Sequence, residues 1–207
     1  MIVYLNSTDF AHSIYTRHLR ADGLIASDVR VIQIDRGISV ADMARAVINN
    51  ARTGHPIAER SIYRLIINSH GSPGSIAIGN GINVNNVNDL APLRPYFTPL
   101  SQGGHGVLID ACLVAGGSST SGPLVYGSDD NACEQEPRFR YIGSMVCEPR
   151  AGYGFMMEMA RVLDTKITAG FNIQFGPNGR DAGGLEGNYI RVFPNGLTQI
   201  IERQYVF

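Results

Sequence analysis

The stretch Leu65-Ile66-Ile67-Asn68-Ser69-His70-Gly71-Ser72-Pro73-Gly74 decides how this chain is read. It begins as a short apolar run behind Tyr63-Arg64 and stops abruptly in polar residues and glycine. Such a run, bounded by turn signals, is the pattern of a strand buried on both faces. About forty residues later, Gly106-Val107-Leu108-Ile109-Asp110-Ala111-Cys112 repeats the form. Two further runs precede them: Ile2-Val3-Tyr4-Leu5 and Val29-Arg30-Val31-Ile32-Gln33-Ile34.

Helical patterns separate these runs. Asp9 can cap a helix over residues 10–21, and Ser39 caps one carrying Val40, Met43, Ala44, Val47 and Ile48 at the 3,4 spacing, closed by Thr53-Gly54. Strands alternating with helices predict an α/β fold of three layers, α/β/α, around a mostly parallel sheet with right-handed crossovers. Between the two central strands, residues 75–81 read as a hairpin-type excursion. An Asn-rich helix start and a Pro-punctuated stretch to Leu100 follow.

The second half is less regular. Residues 115–150 are rich in Gly, Ser, Pro and charge and read as a long surface loop, with a short strand at Tyr141-Ile142-Gly143. Residues 154–163 predict a helix that is apolar nearly all round through Phe155, Met156, Met157, Met159, Val162 and Leu163. A buried helix using Met as filler is favoured over a Met-rich partner surface. A strand over 166–170 and a turn-rich stretch over 176–187 come next. A closing β-hairpin then pairs residues 189–193 with 198–202 through Pro194-Asn195-Gly196-Leu197. No internal repeat or second domain is apparent, so residues 1–207 are taken as one domain.

Composition narrows the function classes. With 17 Lys+Arg against 18 Asp+Glu, scattered along the chain, there is no electrostatic footprint for nucleic acid. No apolar run is long enough to span a bilayer, and the first residues lack the basic and apolar regions of a signal peptide. A cytoplasmic protein, or one exported without an N-terminal signal, is expected. The three cysteines, Cys112, Cys133 and Cys147, leave at least one thiol over. No C-x-x-C occurs and no histidine stands at finger spacing from a cysteine, so neither a metal nor another cofactor is expected.

Ligands of open α/β sheets bind beyond the carboxyl ends of the strands, where both His70 and Cys112 stand. If those strands are neighbours, an imidazole and a thiol share one crevice. A thiolate is the nucleophile of acyl transfer, and an imidazole can lower the thiol's pKa or protonate the leaving amine. Gly71 lacks a Cβ, so its N–H can approach a substrate carbonyl and form an oxyanion hole with the Cys112 amide. Taken singly, a cysteine at a strand end is commonly an inert small hydrophobe and a His-Gly pair a turn. The two together, each leading into Gly-rich sequence, favour the chemical pairing.

An apolar strand, then Ser69-His70-Gly71 with Gly74, then a second apolar strand and Asp110-Ala111-Cys112-Leu113, resembles the caspase-like superfamily of cysteine peptidases. The likeness extends over roughly residues 1–118 and is nearer the clostripain branch and the bacterial self-processing toxin proteases than the animal caspases. It implies a caspase-like fold, a catalytic dyad of His70 and Cys112, an oxyanion contribution from Gly71, and a protein or peptide substrate cut after one preferred P1 side chain. The Gln-Ala-Cys-x-Gly signature of animal caspases is missing around Cys112, which puts specificity for Asp in doubt.

Asp110 precedes Cys112 by two residues and, by strand alternation, shares its side of the strand. An acidic pocket selects a basic P1 residue. Asp129, Asp130, Glu134 and Glu136 are charges of the long loop, better read as solvated. Arg138, Arg140 and Arg150 in the same region are candidate self-cleavage sites, as the resemblance implies.

An α/β-hydrolase esterase, which would place its nucleophile on an elbow of the form G-x-S-x-G or G-x-C-x-G, is the weaker enzyme alternative, because Cys112 is flanked by Asp110 and Val114 and no G-x-S-x-G occurs; no P-loop or dinucleotide fingerprint is present. The remaining alternative is a catalytically silent caspase-like binding or scaffold module, with the Met helix or the final hairpin serving a partner or a homo-oligomer.

Overall fold

The computed structural model describes residues 1–8, 29–50, 54–111, 114–115, 152–170 and 189–201. The expected helix over 10–21, nearly all of the loop over 115–150 with its strand at 141–143, the stretch 176–187, and all three cysteines lie outside the described residues.

Four parallel strands form where the apolar runs predict them. They are β1 (Ile2–Ser7), β2 (Val29–Ile34), β3 (Arg64–Asn68) and β7 (Gly106–Asp110), with three short strands between the last two. β8 (Ile167–Gly170) adds in parallel, while β9 (Tyr189–Val192) and β10 (Thr198–Ile201) close the sheet as an antiparallel hairpin. The spatial order is β10-β9-β8-β7-β3-β1-β2. The fold is thus mixed α/β around a mostly parallel seven-stranded sheet ending in a hairpin, the kind of sheet that a three-layer α/β/α arrangement encloses.

Strand alternation divides the side chains between two faces. Val3, Leu5, Leu65, Ile67, Val107 and Ile109 belong to a large apolar cluster with helix α1 (Val40–Asn49) and helix α2 (Gly152–Leu163). We call this the helix face. Ile2, Tyr4, Ile66 and Leu108 form a separate cluster on the far face, each between 0% and 4% exposed. Both faces are buried, as the near-continuous apolar runs require.

Ser39 caps α1 as expected: its Oγ accepts from the Asp42 N–H at 3.1 Å and donates to Asp42 Oδ2 at 2.6 Å. That bond and the Arg45 guanidinium hold the Asp42 carboxyl below its ordinary pKa. The helix stops at Asn49, however, and not at Thr53-Gly54. Asn50 takes the left-handed conformation with φ 44°, and its N–H bonds back to Ala46 and Val47. An amide side chain tolerates that conformation and so ended the helix before the glycine.

In α2, Phe155, Met156, Met159, Val162 and Leu163 are buried in the main cluster, which fits the filler reading for Met156 and Met159, whereas Met157 is only half-buried at its edge. The Pro-punctuated stretch is a 3-10 helix, Val87–Tyr96, containing Pro92 and Pro95. Its buried residues Val87, Leu90 and Leu93 recur every three positions, the 3-10 period, and so share one side.

Candidate active site

The central strands β3 and β7 are direct parallel neighbours, with Asn68 opposite Asp110 as the last pair. One more bond, from the Ser69 N–H to the Asp110 carbonyl at 3.2 Å, carries the ladder past the strand ends. His70 follows Asn68 by two residues and Cys112 follows Asp110 by two. Both residues thus follow the last register pair of two adjacent strands by the same number of positions.

The chain at His70 is held by two bonds to Ala77. The Ser69 Oγ donates to the Ala77 carbonyl at 2.7 Å, and the Ala77 N–H donates to the His70 carbonyl at 2.8 Å. His70 itself is exposed. Beyond it the excursion begins earlier than the expected residues 75–81. β4 (Gly71–Ser72) pairs with β5 (Ser75–Ile76), which pairs with β6 (Ile82–Asn83), all antiparallel. Pro73-Gly74 makes the first turn, with Gly74 at φ 75° supplying the conformation a side chain would resist.

This small sheet fixes the direction of the Gly71 amide. Gly71 faces Ile76, and the Ala77 N–H bonds to the His70 carbonyl, so Gly71 and Ile76 form a non-hydrogen-bonded pair. In such a pair each residue's own N–H points away from the partner strand. β4 is the edge of its sheet. The Gly71 N–H therefore points outward from that open edge, one residue after the histidine.

Cys112 and Leu113 lie outside the described residues, but the chain on either side is described. Ala111 and Val114 are buried at 1% and 0% exposure. The Val114 carbonyl accepts from the Gly74 N–H at 3.1 Å, and the Ala115 N–H donates to the Gly170 carbonyl at 3.3 Å. The residues just after Cys112 are thus tied to the hairpin that follows His70 on one side and to the end of β8 on the other.

A feature that the sequence patterns did not single out occupies the same strand ends. Gln33, Asn6, Asn68 and Asp110 are successive register partners across β2, β1, β3 and β7. All four lie on the far face, by alternation from Val31, Tyr4, Ile66 and Leu108. The Asn68 Nδ2 donates to Asn6 Oδ1 at 2.6 Å, and the Asn6 Nδ2 donates to Gln33 Oε1 at 2.9 Å. Asn6 and Asn68 are each 2% exposed, while Asp110 is half-buried. The Asn68 Oδ1 is buried with no hydrogen-bond partner. Leaving such an acceptor unpaired costs about 1–3 kcal/mol. The available signal was the polar residue closing each apolar run at the same parity, but the register joining those residues is a property of the sheet.

Among the described residues no three His, Cys, Asp or Glu side chains come together to hold a metal, and no helix is long and apolar enough to cross a membrane. Neither a protein-family model nor a curated protein matches this chain.

Proposed function

We propose that this chain is a cysteine endopeptidase in which Cys112 is the nucleophile and His70 the acid and base. The observation that carries this reading is the Asn68–Asp110 pair that ends two neighbouring parallel strands, with the imidazole and the thiol each two residues beyond it. The outward Gly71 amide, one residue past His70, supports an oxyanion-donor role for it alongside the Cys112 amide.

In this mechanism the Cys112 thiolate attacks the scissile carbonyl carbon, and the oxyanion that forms accepts from the two amides. His70, protonated, gives its proton to the leaving amine as the C–N bond breaks, which produces a thioester. Water then adds to the thioester as His70 takes one of its protons. The C–S bond breaks to release the new carboxyl terminus, and the Cys112–His70 pair is regenerated. Asp110, half-buried at the end of β7 two residues before the nucleophile, favours a basic P1 side chain.

A positional-scanning peptide library, run with the wild-type chain and Cys112→Ala, tests this. The wild type is expected to cut after Arg or Lys, and Cys112→Ala to leave every peptide intact while melting as the wild type does. A folded, fully active Cys112→Ala chain contradicts the reading. A wild type that cuts nothing and takes up no electrophilic peptide probe leaves the silent binding module in its place. Intact masses from the same samples report self-cleavage at Arg138, Arg140 or Arg150. Cleavage there is expected for the wild type alone.

A further inference from the structure

A cavity of about 530 Å³, within the size range of small-molecule sites, lies at the amino ends of β3 and β8, the opposite end of the sheet from His70. Much of its wall is apolar: Phe97, which bridges Ile62 just ahead of β3, with Leu100, Pro95, Pro99 and Pro194. Its charged lining residues are Arg60, Arg94 and Asp164. The Arg94 Nη2 donates to Asp164 Oδ2 at 2.8 Å, so those two charges cancel. Among the described residues, the Arg60 guanidinium has neither an ion pair nor a hydrogen bond. The wall therefore carries one uncompensated positive charge beside an apolar surface.

The backbone of Arg60 is held in place by that same wall. Three described non-glycine residues take a positive φ: Asn50 at 44°, Arg60 at 57° and Asp164 at 51°. Asn50 and Asp164 directly follow helices α1 and α2, and their short polar side chains tolerate the left-handed region. Arg60 follows no helix, and its long side chain gains nothing from that conformation. Its N–H donates to the Pro95 carbonyl at 3.0 Å, and its carbonyl accepts from Thr98 Oγ1 at 2.8 Å. Pro95 and Thr98 both line the cavity. Strained residues fixed by their surroundings in this way gather at ligand clamps.

We propose that this cavity binds a small monocarboxylate with an apolar body, the carboxylate on Arg60 and the body against Phe97, Leu100 and the prolines. A planar carboxylate accepts two parallel N–H bonds from one guanidinium. Pro95, Pro99 and Pro194 offer no N–H, so that part of the wall rewards apolar surface. A multiply charged phosphate fits less well, because only one positive charge is free and the Asp164 carboxylate stands on the same wall. The site lies away from the candidate dyad and does not depend on the peptidase reading.

The test is a set of ligand-observed NMR titrations of the full chain with 3-phenylpropionate, 3-phenylpropionamide, acetate and inorganic phosphate. The amide keeps the apolar body and loses the charge, whereas acetate keeps the charge and loses the body. 3-Phenylpropionate is expected to bind at least tenfold tighter than each of the other three. Arg60→Gly allows the same left-handed backbone without strain, so it should melt no lower than the wild type and bind 3-phenylpropionate at least tenfold more weakly. Arg60→Asn, which also tolerates that backbone, should behave in the same way.

No binding of 3-phenylpropionate to the wild type, equal affinity for acid and amide, or unchanged acid affinity in both Arg60 variants overturns the proposal. Tighter binding of phosphate than of 3-phenylpropionate overturns the ligand class. So does tenfold tighter binding of acetyl-alanyl-phenylalanine, which would give the site to a protein carboxyl terminus. Cys112→Ala should bind 3-phenylpropionate as the wild type does. Arg60-dependent binding in a chain that cuts no peptide supports the site and leaves the peptidase reading to fail by itself.

Discussion

On the helix face of the sheet, Leu5, Ile34, Ile67 and Ile109 keep the surface apolar up to the last residues of the strands, whereas on the far face Tyr4, Ile66 and Leu108 are followed by Asn6, Asn68 and Asp110. The same strands supply both. The helix face is packed against α1, α2 and the 3-10 helix and has the composition of a core. At its carboxyl end the far face carries buried amides whose desolvation costs stability, at the place where ligands of parallel sheets bind. One face holds the fold together. The other gives up some stability for a fixed arrangement of polar groups.

Three variants set these regions against each other. The largest expected effect is on the helix face: Ile67→Ala, removing a side chain with 0% exposure, should cost about 2–5 kcal/mol in urea unfolding. On the far face, Asn6→Leu leaves Asn68 Nδ2 without its acceptor and Gln33 Oε1 without its donor, at an expected cost of about 1–3 kcal/mol. Replacing Gln33, Asn6 and Asn68 together by Leu should recover most of that loss. If the triple variant is the less stable of the two, the row is a structural element first.

The smallest effect concerns the foot of the sheet. Partial burial, together with the Arg191 and Arg64 charges, holds the Lys166 ammonium below its ordinary pKa of 10.5. A lysine whose pKa is depressed by folding binds more protons in the unfolded chain, so its contribution improves as pH rises toward 10.5. Lys166→Met should therefore stabilise slightly at pH 7, with the gain shrinking in melts at pH 9 to 10. A gain that grows with pH would contradict this.

The strands were legible because short continuous aliphatic runs rich in Ile and Val, flanked by glycine and polar residues, leave few other choices, as at Leu65-Ile66-Ile67 and Val107-Leu108-Ile109. The end of α1 was misjudged because Asn50 and Gly54 both tolerate a left-handed backbone, and Asn50 comes first. Gly106 held a second hidden requirement. At φ 68° an added Cβ would stand 2.2 Å from the Lys166 carbonyl oxygen, a contact made only when β7 lies beside β8. His70 and Gly71 could be picked out from their motif, but the direction of the Gly71 amide depends on its pairing with Ile76. The polar row was out of reach for the same reason. Asn6, Gln33 and Asn68 are distant in sequence, and only the order β2-β1-β3-β7 makes them neighbours.

The central claim is that Cys112 is a nucleophile activated by His70. It is tested most directly by reacting the full chain with an electrophilic peptide carrying Arg at P1 and locating the adduct by mass spectrometry. One adduct per chain on Cys112 is predicted, none in Cys112→Ala, with a rate about 10²–10⁴-fold lower in His70→Ala. Equal modification of Cys112, Cys133 and Cys147, or labelling of Cys112 at an unchanged rate in His70→Ala, would contradict it.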